Sequence, residues 1–123
     1  MKNLKIESTK VSPSIIALAK KGTVHIKGVS IPENGFEYYK KASDWIVKYL
    51  DSNSGIKFVL KFHYLNSSSL HYVKELIRNA VKLTDVEVLW YYETDDEDML
   101  DVGESLSYAT DIEFKMEKRD SIF

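Results

Sequence analysis

Ile56-Lys57-Phe58-Val59-Leu60-Lys61-Phe62-His63-Tyr64-Leu65-Asn66-Ser67-Ser68-Ser69 decides the architecture of this chain. Its first ten residues are rich in aromatic and β-branched side chains. Phe58, Leu60, Phe62 and Tyr64 fall on one face, and that alternation predicts a strand. The pattern then breaks at one amide and three hydroxyls. From Ser67 to Leu83 apolar residues recur at spacings of three and four (Leu70, Val73, Leu76, Ile77, Ala80, Val81), which predicts an amphipathic helix. A strand feeding directly into a helix is the first half of a βαβ unit.

Toward the C-terminus, Val86-Glu87-Val88-Leu89-Trp90-Tyr91-Tyr92 reads as the next strand. A short third helix carries Met99, Leu100, Val102 and Leu106, and Ile112–Met116 reads as a last strand. Toward the N-terminus, Gly28 to Asn34 reads as a loop carrying Pro32. It leads into a helix with apolar Tyr38, Tyr39, Ala42, Trp45, Ile46, Tyr49 and Leu50. Asn34 with Glu37, and Ser30 with Glu33, have the spacing of capping boxes. Ile15–Ala19 and Thr23–Lys27, separated by Lys20-Lys21-Gly22, read as a hairpin, and Leu4–Glu7 as a short first strand. The order β-β-β-α-β-α-β-α-β predicts an α/β chain: one mixed sheet with an antiparallel start, a βα-alternating remainder and about three helices. No internal repeat or linker divides residues 1–123, so one domain is expected.

Composition narrows the function classes. Among 123 residues, 17 basic and 19 acidic side chains leave a net charge of -2. That is no footprint for nucleic-acid binding, where basic residues must neutralise phosphates. Cysteine is absent, which excludes disulfides, thiolate metal sites and cysteine nucleophiles. No apolar run reaches the length of a membrane span and no secretion signal opens the chain, so a cytoplasmic location is expected.

The functional signal lies at Asn66-Ser67-Ser68-Ser69. A helix start presents unpaired N–H groups and partial positive charge, so it tolerates an anion, in particular a phosphate carried by one of its own serines. Serine and asparagine also cap helices without any further role. Capping needs one side-chain oxygen, however, and this segment supplies four candidates. A phosphoserine here would add a charge of about -1.5 to -2 that the helix accommodates but a partner packed on a neutral serine does not.

The frame Thr9-x-x-x-Pro13, Gly28-x-Ser30-Ile31-Pro32-Glu33-Asn34, Trp45-x-x-x-Tyr49-Leu50, Tyr64-Leu65-Asn66-Ser67-Ser68-Ser69 and Trp90-x-Tyr92 resembles the SiaC family of bacterial regulatory phosphoproteins. That family is similar in architecture to STAS domains, the anti-sigma-factor antagonists, whose Asp-Ser-Ser-Gly motif is echoed locally by Asn66–Ser69. The resemblance implies a non-enzymatic adaptor without a cofactor. Its unmodified form binds and activates a diguanylate cyclase, raising cyclic di-GMP and favouring biofilm formation. A cognate protein kinase and a PPM-type phosphatase set its state. The family's phosphorylated threonine maps onto Ser67, where this chain keeps a hydroxyl. Many relatives carry lysine where this chain has Leu70. The expected partner surface comprises Asn66, Ser68 and Ser69 around Ser67, with the loop Pro32-Glu33-Asn34 beside them.

Three further features admit other readings. Glu93-Thr94-Asp95-Asp96-Glu97-Asp98 is dense enough in carboxylates to suggest magnesium or calcium, and with it a small ligand-binding domain or enzyme. It has no EF-hand spacing, however, and acidic residues entering a helix stabilise its N-terminus unaided. His25, His63 and His71 lack the spacing that puts two ligands on one helix face. On the Trp90-Tyr91-Tyr92 strand, Trp90 and Tyr92 should face the core and Tyr91 the opposite side, where an exposed ring could anchor a partner. An anti-sigma-factor antagonist would share the serine switch but act on a different partner.

Overall fold

A computed structural model describes residues 1–123. Its elements are β1 (Leu4–Ile6), β2 (Ser14–Leu18), β3 (Thr23–Ser30), α1 (Gly35–Tyr49), β4 (Ile56–Leu65), α2 (Ser67–Leu83), β5 (Val86–Glu93), α3 (Glu97–Thr110) and β6 (Lys115–Arg119). The six strands form one sheet in the order β1-β2-β3-β4-β5-β6. The β1–β2 and β2–β3 pairs are antiparallel, and the remaining pairs are parallel. The mixed sheet and three helices match the reading from sequence.

Alternation sorts the sheet into two unlike faces. Ile15, Ala17, Val24, Ile26, Phe58, Leu60, Phe62, Val88 and Trp90 belong to a core that also takes in Tyr39, Ala42 and Ile46 of α1, Val73, Ile77 and Ala80 of α2, and Met99 and Leu106 of α3. All three helices therefore cover the same face. The other face carries His25, Lys27, Lys57, Lys61, Leu89 and Tyr91, the alternate residues of the same strands. Trp90 is fully buried and its indole N–H donates to the Met99 carbonyl at 2.8 Å. The ring lies so close to α3 that a Cβ on Gly103 would sit 2.5 Å from it, so only glycine fits there.

Four local expectations need correction. β3 does not stop at Lys27 but runs to Ser30, so the loop is confined to residues 31–34. Gly28 permits the extension by adopting φ 126°, and the β3–β4 register shifts just beyond it. Tyr64 does not share the buried face of Phe58, Leu60 and Phe62 and is 54% exposed. Opposite the register shift, β4 passes from Phe62 to Tyr64 while β3 advances only from Gly28 to Val29. That extra residue reverses the facing of the rest of β4, so Leu65 turns inward instead. The last strand is Lys115–Arg119 rather than Ile112–Met116. The Ile112 carbonyl and the Phe114 N–H both bond Ser107 Oγ on α3, which ties this segment to the helix before it reaches β5. Finally, Ser30 is a buried strand residue and caps no helix; Asn34 caps α1, accepting from the Glu37 N–H.

Candidate functional site

The parallel strands β3, β4 and β5 each lead into a helix at the same end of the sheet, and each helix starts on an amide or carboxylate cap. Asn34 caps α1, Asn66 caps α2 by accepting from the Ser69 N–H at 2.9 Å, and Asp96 caps α3 by accepting from the Met99 N–H at 3.1 Å. Asp96 is thus engaged in starting a helix, with Glu97 and Asp98 in its first turn. No three histidine or carboxylate side chains converge where they could hold a metal ion, in the acidic loop or elsewhere.

The serines divide by depth. Asn66, in extended conformation at ψ 176°, turns the chain from β4 into α2, and Ser67 and Ser68 occupy the first two helical positions with exposed side chains. Their N–H groups precede any intrahelical partner, which leaves that end of the dipole available to an anion. Ser69 points the other way and is 1% exposed. Its hydroxyl donates to the Ser30 carbonyl at 2.8 Å and accepts from Ser30 Oγ at 2.8 Å. Tyr39 OH lies 2.6 Å from Ser30 Oγ, and since that hydroxyl already donates to Ser69, the phenol is the donor. Burial raises the Tyr39 phenol far above its ordinary range, only partly offset by the Ser30 contact, so it keeps the proton this chain of hydroxyls requires. Ser69 therefore does not face a partner, contrary to expectation. It fastens the start of α2 to β3 and α1.

The same fastening brings the 31–34 loop to the serines. The Asn66 N–H donates to the Ser30 carbonyl at 3.1 Å, so the loop leaves the sheet directly beside the α2 start. Gly35 then presses on α2, where a Cβ would meet the Tyr72 ring at 2.7 Å. Pro32, Glu33 and Asn34 thus span the short stretch between Ser30, bonded to Asn66, and Gly35, packed on Tyr72 of α2. Tyr91 instead faces the bare side of the sheet, partly exposed, with Lys61 Nζ 4.6 Å and Arg119 Cζ 5.2 Å from its ring centre.

Sequence spacing alone did not reveal the surroundings of Ser67 on its helical face. Ser67, Leu70, His71 and Lys74 line a shallow groove of about 280 Å³, closed on the far side by Ser105, Leu106 and Ala109 of α3. Positions i, i+4 and i+7 on α2 form one stripe, and helical side chains lean toward the N-terminus. His71 and Lys74 therefore share the helical face of Ser67 and line the same groove. Lys74 is the one lysine lining the groove, and no carboxylate lines it.

A one-sided α/β sheet whose parallel strand ends deliver three capped helix starts, the middle one with exposed serines on its first turn, defines the class of fold. The chain belongs to the SiaC family of regulatory phosphoproteins, whose family model matches residues 6–119. An uncharacterized protein of Pseudomonas aeruginosa (strain UCBPP-PA14) is 24% identical over 125 residues, covering 98% of this chain and 99% of that protein. The crystal structure of apo-SiaC from P. aeruginosa superposes with a TM-score of 0.77 at 25% identity, covering 97% of this chain and 99% of that one. A chain in the crystal structure of the P. aeruginosa diguanylate cyclase SiaD in complex with its activator SiaC superposes at a TM-score of 0.84. It is 23% identical, covering 94% of this chain and 99% of that one. No helix of this chain is long and apolar enough to cross a membrane.

Proposed function

We propose that this chain is a non-enzymatic adaptor that binds and activates a diguanylate cyclase while Ser67 is unmodified, and releases it when Ser67 is phosphorylated. A dedicated protein kinase writes the phosphate and a PPM-type phosphatase removes it. The observation that carries this reading is the opposed orientation of the serines: Ser67 stands exposed on the first turn of α2 while Ser69 is sealed beneath it. Membership of a family of regulatory phosphoproteins and the fold shared with a cyclase-bound chain support the same reading.

The mechanism is local. A phosphate on Ser67 meets the positive end of α2, which favours it, and the Lys74 and His71 side of the groove. The domain keeps its fold. A cyclase packed over Asn66, Ser68 and the Pro32-Glu33-Asn34 loop would have to desolvate that dianion, and an unpaired buried charge costs several kcal/mol, about enough to dissolve an interface. The test is calorimetric binding to a cognate cyclase together with its cyclic di-GMP output. Ser67→Ala should bind and activate like the unmodified protein, and Ser67→Glu should do neither. A Ser67→Glu protein that binds as tightly as wild type overturns the proposal, as does native protein phosphorylated only at another residue.

A further inference from the structure

The face of the sheet that no helix covers is chemically distinctive. Lys27, Lys61 and Tyr91 lie abreast on β3, β4 and β5, next to a row made by Ile16, His25, Val59 and Leu89. Ser14, Ile16, Leu18, His25, Lys27, Val59 and Lys61 enclose a concavity of about 300 Å³ with an apolar floor and two ammonium groups at its lip. Two carboxylates of this face are already matched, Glu87 with Lys115 at 3.0 Å and Glu117 with Arg119 at 3.2 Å, and Glu93 lies 3.8 Å from His63 Nδ1. Lys57 stands beside Glu87 in the register, whereas Lys27 and Lys61 make no ion pair. The surplus positive field is felt at His25, whose pKa is lowered by burial and then by Lys61, Lys21 and Lys57. An overall charge of -2 conceals this, because the acidic residues gather instead in the 93–104 segment.

We infer that this bare face is a second docking surface, taking a short acidic segment of a protein partner whose carboxylates flank one apolar side chain. Charge complementarity specifies the carboxylates, and the Ile16-Leu18-Val59 floor specifies the apolar residue between them. Lys27 and Lys61 each rest over an aromatic ring. Lys27 Nζ lies 4.8 Å from the Phe123 ring centre and Lys61 Nζ lies 4.6 Å from that of Tyr91, which lessens the ordering needed on binding. The same seating disfavours single-stranded nucleic acid, which binds open sheets by stacking bases on bare rings. Here Tyr91 already carries Lys61 and Arg119, and Phe123 is stacked on His63 at 3.8 Å.

The surface is separate from Ser67, so it can be tested independently of the switch. Isotope-labelled protein would be titrated with a synthetic twelve-residue peptide bearing glutamates on both sides of a central leucine. Saturable amide shifts are expected at Ile16, His25, Lys27, Val59, Lys61 and Tyr91. Lys61→Glu should weaken binding by about tenfold or more, and Lys27→Gln less. Lys61→Met, which keeps the stem, guards against a folding defect, and Ser67→Glu should bind the peptide unchanged. Several results would overturn the inference: no saturation at millimolar peptide, shifts confined to the α2 start, or equal binding of the lysine-for-glutamate peptide. Tighter binding of an oligothymidine would assign the face to nucleic acid instead. Concentration-dependent self-association abolished by Lys61→Glu would assign it to a second copy of the chain.

Discussion

Glutamate introduced at Ser67 and at Ser69, two residues apart on one helix, should change stability in opposite directions. At Ser67 the new carboxylate stands in solvent on the first turn of α2, where the helix dipole favours it by about 0.3–1 kcal/mol. At Ser69 the cost accumulates in two parts. Removing the hydroxyl deletes two hydrogen bonds of 2.8 Å, to the Ser30 carbonyl and from Ser30 Oγ. Neither Ser30 atom is wholly orphaned, because Asn66 N–H still reaches the carbonyl and Tyr39 OH still reaches the hydroxyl. Ser69→Ala should therefore cost about 1–2 kcal/mol. Ser69→Glu adds an uncompensated charge in a site 1% exposed, about 3–5 kcal/mol more, a large part of the stability of such a domain. Urea unfolding followed by the fluorescence of the buried Trp45 and Trp90 measures all three variants against wild type. A Ser67→Glu protein destabilised by more than about 1 kcal/mol, or a Ser69→Glu protein within about 1 kcal/mol of wild type, would refute the assignment of one outward and one inward serine.

Two other outcomes can be measured on the same footing. Gly103→Ala gains up to about 1 kcal/mol of helix propensity but places a methyl 2.5 Å from Trp90 Cδ1 and Nε1, on a ring pinned by its bond to Met99. A net loss of about 1–3 kcal/mol is expected, read as a lowered Tm, and a Tm at or above wild type would contradict the close approach. Burial and the neighbouring lysines lower the His25 pKa, so the folded state resists a proton that the unfolded chain accepts near the ordinary value of about 6.5. The His25 contribution is thus fully present above that value and lost as pH falls from it toward the lowered folded pKa. Stability curves from pH 8 to pH 5 should fall less steeply for His25→Gln than for wild type, and parallel curves would refute the shift.

Much of the fold could be read from the chain because its periodicities are strong. Ile56–Leu65 and Ser67–Leu83 have the bounds that alternation and the three-four spacing predict, since one face of each is buried and selection of apolar residues is sharp. Where the reading missed, long-range partners decided the outcome. Tyr64 fits the alternation of its own strand, yet a register shift against β3 turns it outward, and nothing local encodes that shift. Ile112 and Phe114 look like strand residues, but Ser107 Oγ claims their backbone first. The site divides in the same way. Asn66 and Ser67 were legible from the strand-to-helix junction itself. The inward turn of Ser69 depends on Ser30, 39 residues earlier, and the groove beside Ser67 depends on α3, which composition and spacing do not place.

The strand order carries a further consequence. Open parallel sheets hold small ligands in the cleft that opens where two adjacent crossovers depart to opposite sides of the sheet. In this chain the strands run β1 to β6 without a reversal, and each crossover packs on the same side. Neighbouring loops at the strand tips therefore all turn to the same side of the sheet. No switch-point cleft opens between them, and the starts of α1, α2 and α3 stand side by side along one edge of the sheet.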